Sequence, residues 1–223
     1  MKCTLKLSHR QSNIKIIGIG CGGNNVVNSL YASGMNDVSL MACDSDASVL
    51  ERSKADVKLQ FGNDGLGTGG NPNVGKKNAE EKVANIRTLL GDETDVAFVV
   101  SCLGGGCGTG VAPIVAREAR QMGITTICVA TLPFEFEGTR RFGQSLDGVR
   151  EMAKNADGIY LFNNQYIFRQ HRESPINEAF AQADEMMCNF IRSTIESITK
   201  QKKAKREKIG LRRFVRKAFW HTT

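Results

Sequence analysis

Two rhythms of apolar and polar positions alternate along this chain. Short apolar runs at residues 13–20, 38–43, 95–101, 124–131 and 158–162 each predict a buried strand. Between them lie helix-favouring stretches at about 25–33, 76–90, 111–122 and 137–155, with Pro113 acceptable in a first turn. Residues 62–75 and 104–110 are rich in Gly or Asn and read as loops. Strand and helix in strict alternation predict an α/β fold: a doubly wound, mostly parallel sheet in three layers. The last element is a long helix from Ile176. Its apolar stripe runs through Phe180, Ala183, Met187, Phe190, Ile191, Thr194 and Ile198, widened by Ala179 and Met186. No internal repeat is present.

Composition narrows this picture. At 223 residues, the chain suits one domain and a tail. No apolar run is long enough for a membrane-spanning helix, and residues 1–13 lack the apolar core of a secretion signal. Seven cysteines without a C-x-x-C pair fit a reducing cytoplasm better than a disulfide scaffold or zinc site. The net charge is +7, but residues 200–223 carry ten Lys/Arg against one Glu. Residues 1–199 are therefore slightly acidic. The basic charge belongs to the tail, which excludes a basic nucleic-acid-binding face on the domain.

Three glycine clusters invite a phosphate reading. Gly18-Ile-Gly20-Cys21-Gly22-Gly23 follows a strand and precedes a helix, where bare backbone and a helix N-terminus can meet a phosphate. Asp44 and Asp46 follow at the distance expected of a ribose-binding acid. Alone, this spells a nicotinamide-dependent oxidoreductase, or plain packing of helix on strand. The second cluster is Gly104-Gly105-Gly106-Cys107-Gly108-Thr109-Gly110, where Thr109 adds a hydroxyl donor. Two such loops suit a polyphosphate gripped from both sides, and glycine is costly enough in backbone entropy to need a reason. Residues 70–77 nearly match a P-loop but lack its Ser/Thr and a preceding strand, so that match is coincidental.

From residue 14 to 199 the sequence resembles the nucleotide-binding half of the tubulin/FtsZ family. GIGCGGNN resembles that family's first phosphate loop, and Asp44-Ser45-Asp46 the loop after its second strand. LGTGGNP at 66–72 and PFEFEG at 133–138 resemble later segments. GGGCGTG differs by one residue from the signature GGGTGTG. The resemblance implies GTP or GDP as ligand, with Mg2+ a candidate companion. It implies that Gly20, Cys21, Gly22, Gly23, Asn25, Gly104, Gly105, Gly106, Cys107, Gly108, Thr109 and Gly110 surround the phosphates, with Asn71 near the γ-phosphate. Pro133, Glu137 and Arg141 would lie by the ribose, and Asp44 and Asp46 in the adjoining loop. Asn163 and Asp184 would read the guanine edge while Phe180 stacks on the base. A carboxylate accepts from the ring N–H and amine of guanine, a donor pair that adenine lacks.

Cys107 and Cys21 depart from the family pattern, standing for a threonine and a glycine. Both thiols are expected to face the nucleotide, where helix N-termini favour thiolate and open a redox route; simple tolerance of small side chains is the plainer reading. In the family the long helix leads to an Asn-x-Asp-x-x-Asp loop and a second domain; here residue 199 leads into a basic run. The resemblance then implies weak or absent hydrolysis, no conventional head-to-tail filament, and an apolar helix side needing cover. The tail, residues 200–223, repeats Leu211, Phe214, Val215, Ala218 and Phe219 at helical spacing against Arg212, Arg213, Arg216 and Lys217, flanked by Ile209 and Trp220. Such a basic amphipathic helix suits an anionic membrane surface. A partner groove or its own domain are the rivals. The expectation is a cytoplasmic protein, peripheral at the inner face of the membrane, assembling with itself or with full-length FtsZ.

Overall fold

The computed structural model describes residues 13–218 apart from Asn36 and residues 171–174; the side chains at 167, 168, 170 and 202–218 also fall outside the description. The order is β1 (Ile14–Ile19), α1 (Gly20–Ala32), β2 (Ser39–Asp44), α2 (Ala47–Arg52), β3 (Val57–Gln60), α3 (Pro72–Glu81), α4 (Val83–Leu90), β4 (Val96–Cys102), α5 (Gly106–Gln121), β5 (Thr125–Leu132), α6 (Thr139–Asn155), β6 (Gly158–Asn163), α7 (Asn164–Gln170) and α8 (Ile176–Ala218). The sheet order is β3-β2-β1-β4-β5-β6, and every pairing is parallel. The chain divides into two compact units, residues 1–188 and 189–223, and the division falls inside α8.

Side-chain alternation gives the sheet two buried faces. Ile17, Ile19, Met41, Cys43, Ala97 and Val99 join Ala79, Ile86, Leu90, Val111 and Val115 from α3, α4 and α5 in one cluster. On the opposite face Gly18 lies against α1, where an added Cβ would sit 2.6 Å from Val27. Val26, Val27 and Leu30 of α1 are fully buried. In α8, Ala179, Ala183 and Met187 are buried as the stripe predicts, whereas Ile176 and Met186 are exposed. Cys188, outside the stripe, is buried with its thiol 3.7 Å from the Val26 carbonyl.

Several boundaries differ from expectation. α1 begins at Gly20 and α5 at Gly106, because the glycines form first helical turns rather than loops. Pro113 therefore lies inside α5, where it deprives the Thr109 carbonyl of its usual donor. α3 starts within the expected loop, with Asn71 as cap and Pro72 at the first position. The single helix expected at 76–90 is two helices meeting at Lys82. The short α2, β3 and α7 carry too little periodicity to have been anticipated. α8 continues as backbone helix through Gly210 to Ala218. The side chains of Leu211, Arg212, Arg213, Phe214, Val215, Arg216 and Lys217 lie outside the described residues, as do Phe219 and Trp220 entirely. Among the described residues no helix is long and apolar enough to cross a membrane.

Candidate functional site

Strand order reverses between β1 and β4, whose ends lie side by side with Ile19 opposite Ser101. In open parallel sheets, crevices form at such a point beyond the carboxyl ends of the strands. Here a cavity of about 560 Å³ opens there, lined from the ends of β1, β2, β4 and β5 and from α8.

Glycine geometry builds its floor. Gly20 has φ +75°, and a Cβ on it would lie 3.0 Å from the amide nitrogen of Gly108, so the starts of α1 and α5 touch. A Cβ on Gly22 would strike Cys102 Sγ at 2.3 Å. At Gly105 it would meet nothing within 4 Å. Neither α1 nor α5 has a side-chain cap. Their first-turn N–H groups therefore retain donor capacity and the positive end of the helix dipole, which favour an anion.

The side chains around this floor differ in state. Asp44 is 3% exposed. Its Oδ1 accepts from the amides of Ser45 (2.7 Å) and Asp46 (3.1 Å), and Oδ2 has no hydrogen-bond partner. Burial raises its pKa against these bonds. Asp46 caps α2, accepting from the Ser48 amide at 2.9 Å and hydroxyl at 2.7 Å, which holds its carboxyl below the usual range. Its carboxylate is thus engaged locally. Glu137 accepts from the Phe134 amide and pairs with Arg141 at 2.7 Å, so one cation stands on the wall beside four carboxylates. Asp184, on α8, has its pKa raised to about 7 by burial. Phe180 lies edge-on to Phe134, centroids 4.8 Å apart, and remains 41% exposed.

The thiols correct one expectation. Cys107 is buried and its pKa is raised by desolvation, then by Asp44. Cys21 is exposed, yet its pKa is also raised, by desolvation first and then by Asp44. Neighbouring carboxylates and burial outweigh the helix termini, so neither cysteine is a favoured thiolate.

The cavity gathers Gly20, Cys21, Gly22, Asn25, Asp44, Asp46, Gly105, Gly106, Cys107, Gly108, Pro133, Glu137, Arg141, Phe180 and Asp184. Other expected residues stand behind or beside it. Gly23 lets α1 approach the Val100 carbonyl, and Gly110 lets α5 approach the Pro72 carbonyl. Gly104, at φ +104°, donates its amide to the Thr109 hydroxyl at 2.8 Å. Asn71 accepts from the Asn73 amide and, with Thr109 and Gly110, lines a second cavity of about 650 Å³. Asn163 caps the start of α7 and lines a third cavity with Tyr166 and Arg169. The next residue, Asn164, takes its expected position: it is 4% exposed, lines the main cavity, and its Oδ1 is unpartnered. Sequence reasoning also missed Ser45, Thr68, Gly69, Gly70, Cys102 and Thr131 as lining residues. The quoted 66–72 motif signalled three of them. Among the described residues no group of three or more His, Cys, Asp or Glu is arranged to hold a metal.

A model of the Tubulin/FtsZ family, GTPase domain, matches residues 13–172. The cell division protein FtsZ of Porphyromonas gingivalis is 40% identical over 192 residues, covering 84% of this chain and 42% of that protein. FtsZ of Aquifex aeolicus is 39% identical, covering 80% and 50%. The chain thus spans about half the length of these relatives. Among solved structures, the empty FtsZ dimer of M. jannaschii superposes with TM-score 0.82 at 34% identity, covering 87% of this chain and 57% of that one. A GTPγS-bound CetZ2 protofilament from Haloferax volcanii, at TM-score 0.75 and 22% identity, over 84% and 59% of the two chains, shares the fold.

Proposed function

The chain belongs to the tubulin/FtsZ family through its GTPase domain, and from that premise we propose that it binds GTP or GDP in the cavity beyond β1, β2, β4 and β5. One observation carries this reading: two uncapped helix N-termini touch at the floor while a half-buried carboxylate, Asp184, stands on the wall. The first-turn amides of Gly20–Gly22 and Gly106–Gly108 receive the phosphates. Asp184 accepts from the guanine N1–H and amine, Asn164 covers the other edge, and Phe180 offers a ring face. Glu137 and Arg141 lie at the ribose. A Mg2+ ion would travel with the phosphates.

Slow hydrolysis is part of this reading, and a phosphate-release assay tests it. Nucleotide then acts as a regulatory ligand of a protein that assembles with itself or with full-length FtsZ. In the first case the basic segment 200–223 carries it to an anionic inner membrane surface, in membrane-associated cytoskeletal assembly or remodelling. In the second the nucleotide face caps an FtsZ filament. Sedimentation with GTP, with and without anionic liposomes and with and without full-length FtsZ, separates the two. A pellet that requires liposomes supports the membrane reading, and a pellet that requires FtsZ sinks it.

A further inference from the structure

We propose that Asp44 enters the nucleotide complex as a neutral carboxylic acid whose Oδ2–H donates to a phosphate oxygen, so that phosphate binding takes up a proton. The proposal rests on the nucleotide reading above and specifies the chemistry of its phosphate end.

Position comes first. Asp44 ends β2, next to Cys43, which pairs with Ile19 of β1, so its side chain lies beside the start of α1 at Gly20. The thiol of Cys107, in the first turn of α5, bears on the same carboxyl. Asp44 therefore stands where the two helix N-termini converge, the point at which an anion is most favoured. It is at the phosphate end of the cavity, not the ribose end that its place in the sequence suggests.

The hydrogen bonding leaves one atom unused. Oδ1 takes both available amides, from Ser45 and Asp46. Oδ2, inside a side chain only 3% exposed, takes no N–H or O–H donor, and the one further group on this carboxyl, as on the buried Ser45 hydroxyl beside it, is the weakly hydrogen-bonding Cys107 thiol. The titratable groups around the carboxyl are Cys21 from α1, Cys107 from α5, Cys43 before it and Asp46 after it. None is a cation. A phosphate arriving here would meet a like charge if Asp44 were ionised. A proton from solvent removes the repulsion and converts an empty acceptor into a donor that the phosphate can use. Burial already moves the pKa of Asp44 upward in the free protein. An apolar site can hold a carboxylic acid neutral in this way so that it donates. No covalent bond changes; the proton comes from water or buffer.

Calorimetric titration with GDP at pH 8, in two buffers of different ionisation enthalpy, counts the protons. At that pH Asp184 and the free phosphate contribute little and contribute equally to wild type and variant. Wild type is expected to take up about one proton more per GDP than Asp44→Asn. Its affinity should fall by up to about tenfold per pH unit while Asp44 in the complex titrates. Asp44→Asn, which keeps a donor, should bind GDP at least as tightly as wild type at pH 8. Equal proton counts in the two proteins overturn the proposal. So does loss of GDP binding by folded Asp44→Asn, which would assign the ionised carboxylate an attractive role. Should the variant fail to fold, wild type alone decides: net uptake supports the proposal, and zero or net release overturns it. Absence of any GDP binding by wild type appears before protons are counted, and overturns the nucleotide reading itself.

Discussion

The contact of α3 with α5 is built on glycine, and Gly110→Ala tests it. A Cβ at this position would lie 2.1 Å from the Pro72 carbonyl oxygen and 2.7 Å from the Lys76 amide nitrogen. Both are backbone atoms, so no side chain can swing away. The first contact is roughly 1 Å or more short of van der Waals distance, and α3 must retreat by that order. Forcing an extra methyl into a packed site costs about 1–3 kcal/mol. Alanine's better helix propensity returns up to about 1 kcal/mol. With the full return the net is a destabilisation of up to about 2 kcal/mol, or up to roughly 8 °C in melting temperature for a chain of this size. Gly143 is the control: it is exposed within α6, and a Cβ there meets nothing within 4 Å. Gly143→Ala should therefore raise stability by about 0.5–1 kcal/mol. Thermal unfolding followed by circular dichroism measures both. A Gly110→Ala protein as stable as Gly143→Ala would refute the packing argument. Because α3 follows the lining residues Thr68, Gly69 and Gly70, Gly110→Ala should also weaken GDP binding severalfold, whereas Gly143→Ala should not.

Three other outcomes are expected. Asp184 is held neutral up to about pH 7 by burial, so the native state keeps a proton that the unfolded chain releases near pH 4. Stability of the ligand-free protein should then fall as pH rises between these values, by up to about 3 kcal/mol, and stay flat above. Asp184→Asn should reduce that slope in melting scans, leaving the smaller part that the buried Asp44 contributes with the same sign, and a parallel pH profile in the variant would contradict it. Cys21, exposed in the cavity with a raised pKa, should alkylate slowly at neutral pH, and saturating GDP should slow it by about tenfold or more. Mass mapping of the labelled cysteine checks this, and alkylation at the same rate with GDP would remove Cys21 from the site. Glu118, 1% exposed, is held by Arg87 at 2.7 Å and Arg117 at 2.9 Å. Replacing both arginines by alanine strands a buried carboxylate and should cost about 3–5 kcal/mol in denaturant unfolding, against little for either alone.

The fold was legible where one rhythm ran long. Residues 96–100 and 127–130 are continuous apolar runs because the strands they form are buried on both faces there, and β4 and β5 lie where those runs are. The helix starts were misread because Gly20, Gly106, Gly108 and Gly110 look like loop residues. Their purpose is close approach: Gly108 fits under the Cys102 carbonyl, and Gly110 under that of Pro72. That need arises between distant segments and leaves no periodic trace. Asn163 and Asn164 show the same limit at the site. The residues are adjacent and identical, and only the strand-to-helix turn between them decides which one caps α7 and which lines the cavity. The phosphate loops were legible from composition. The buried, half-partnered state of Asp44 was not, since it depends on α5 arriving from more than sixty residues away.

The central claim is guanine recognition. Binding of labelled GTP, GDP, ATP and NAD to the purified protein, repeated on Asp184→Ala, tests it most directly. The account predicts binding of GTP and GDP but not of ATP or NAD, with a loss of at least tenfold in the variant, since one charged hydrogen-bonded contact is worth about 1.5–3 kcal/mol. Folded wild type that binds no guanine nucleotide, or binds ATP equally well, would contradict it.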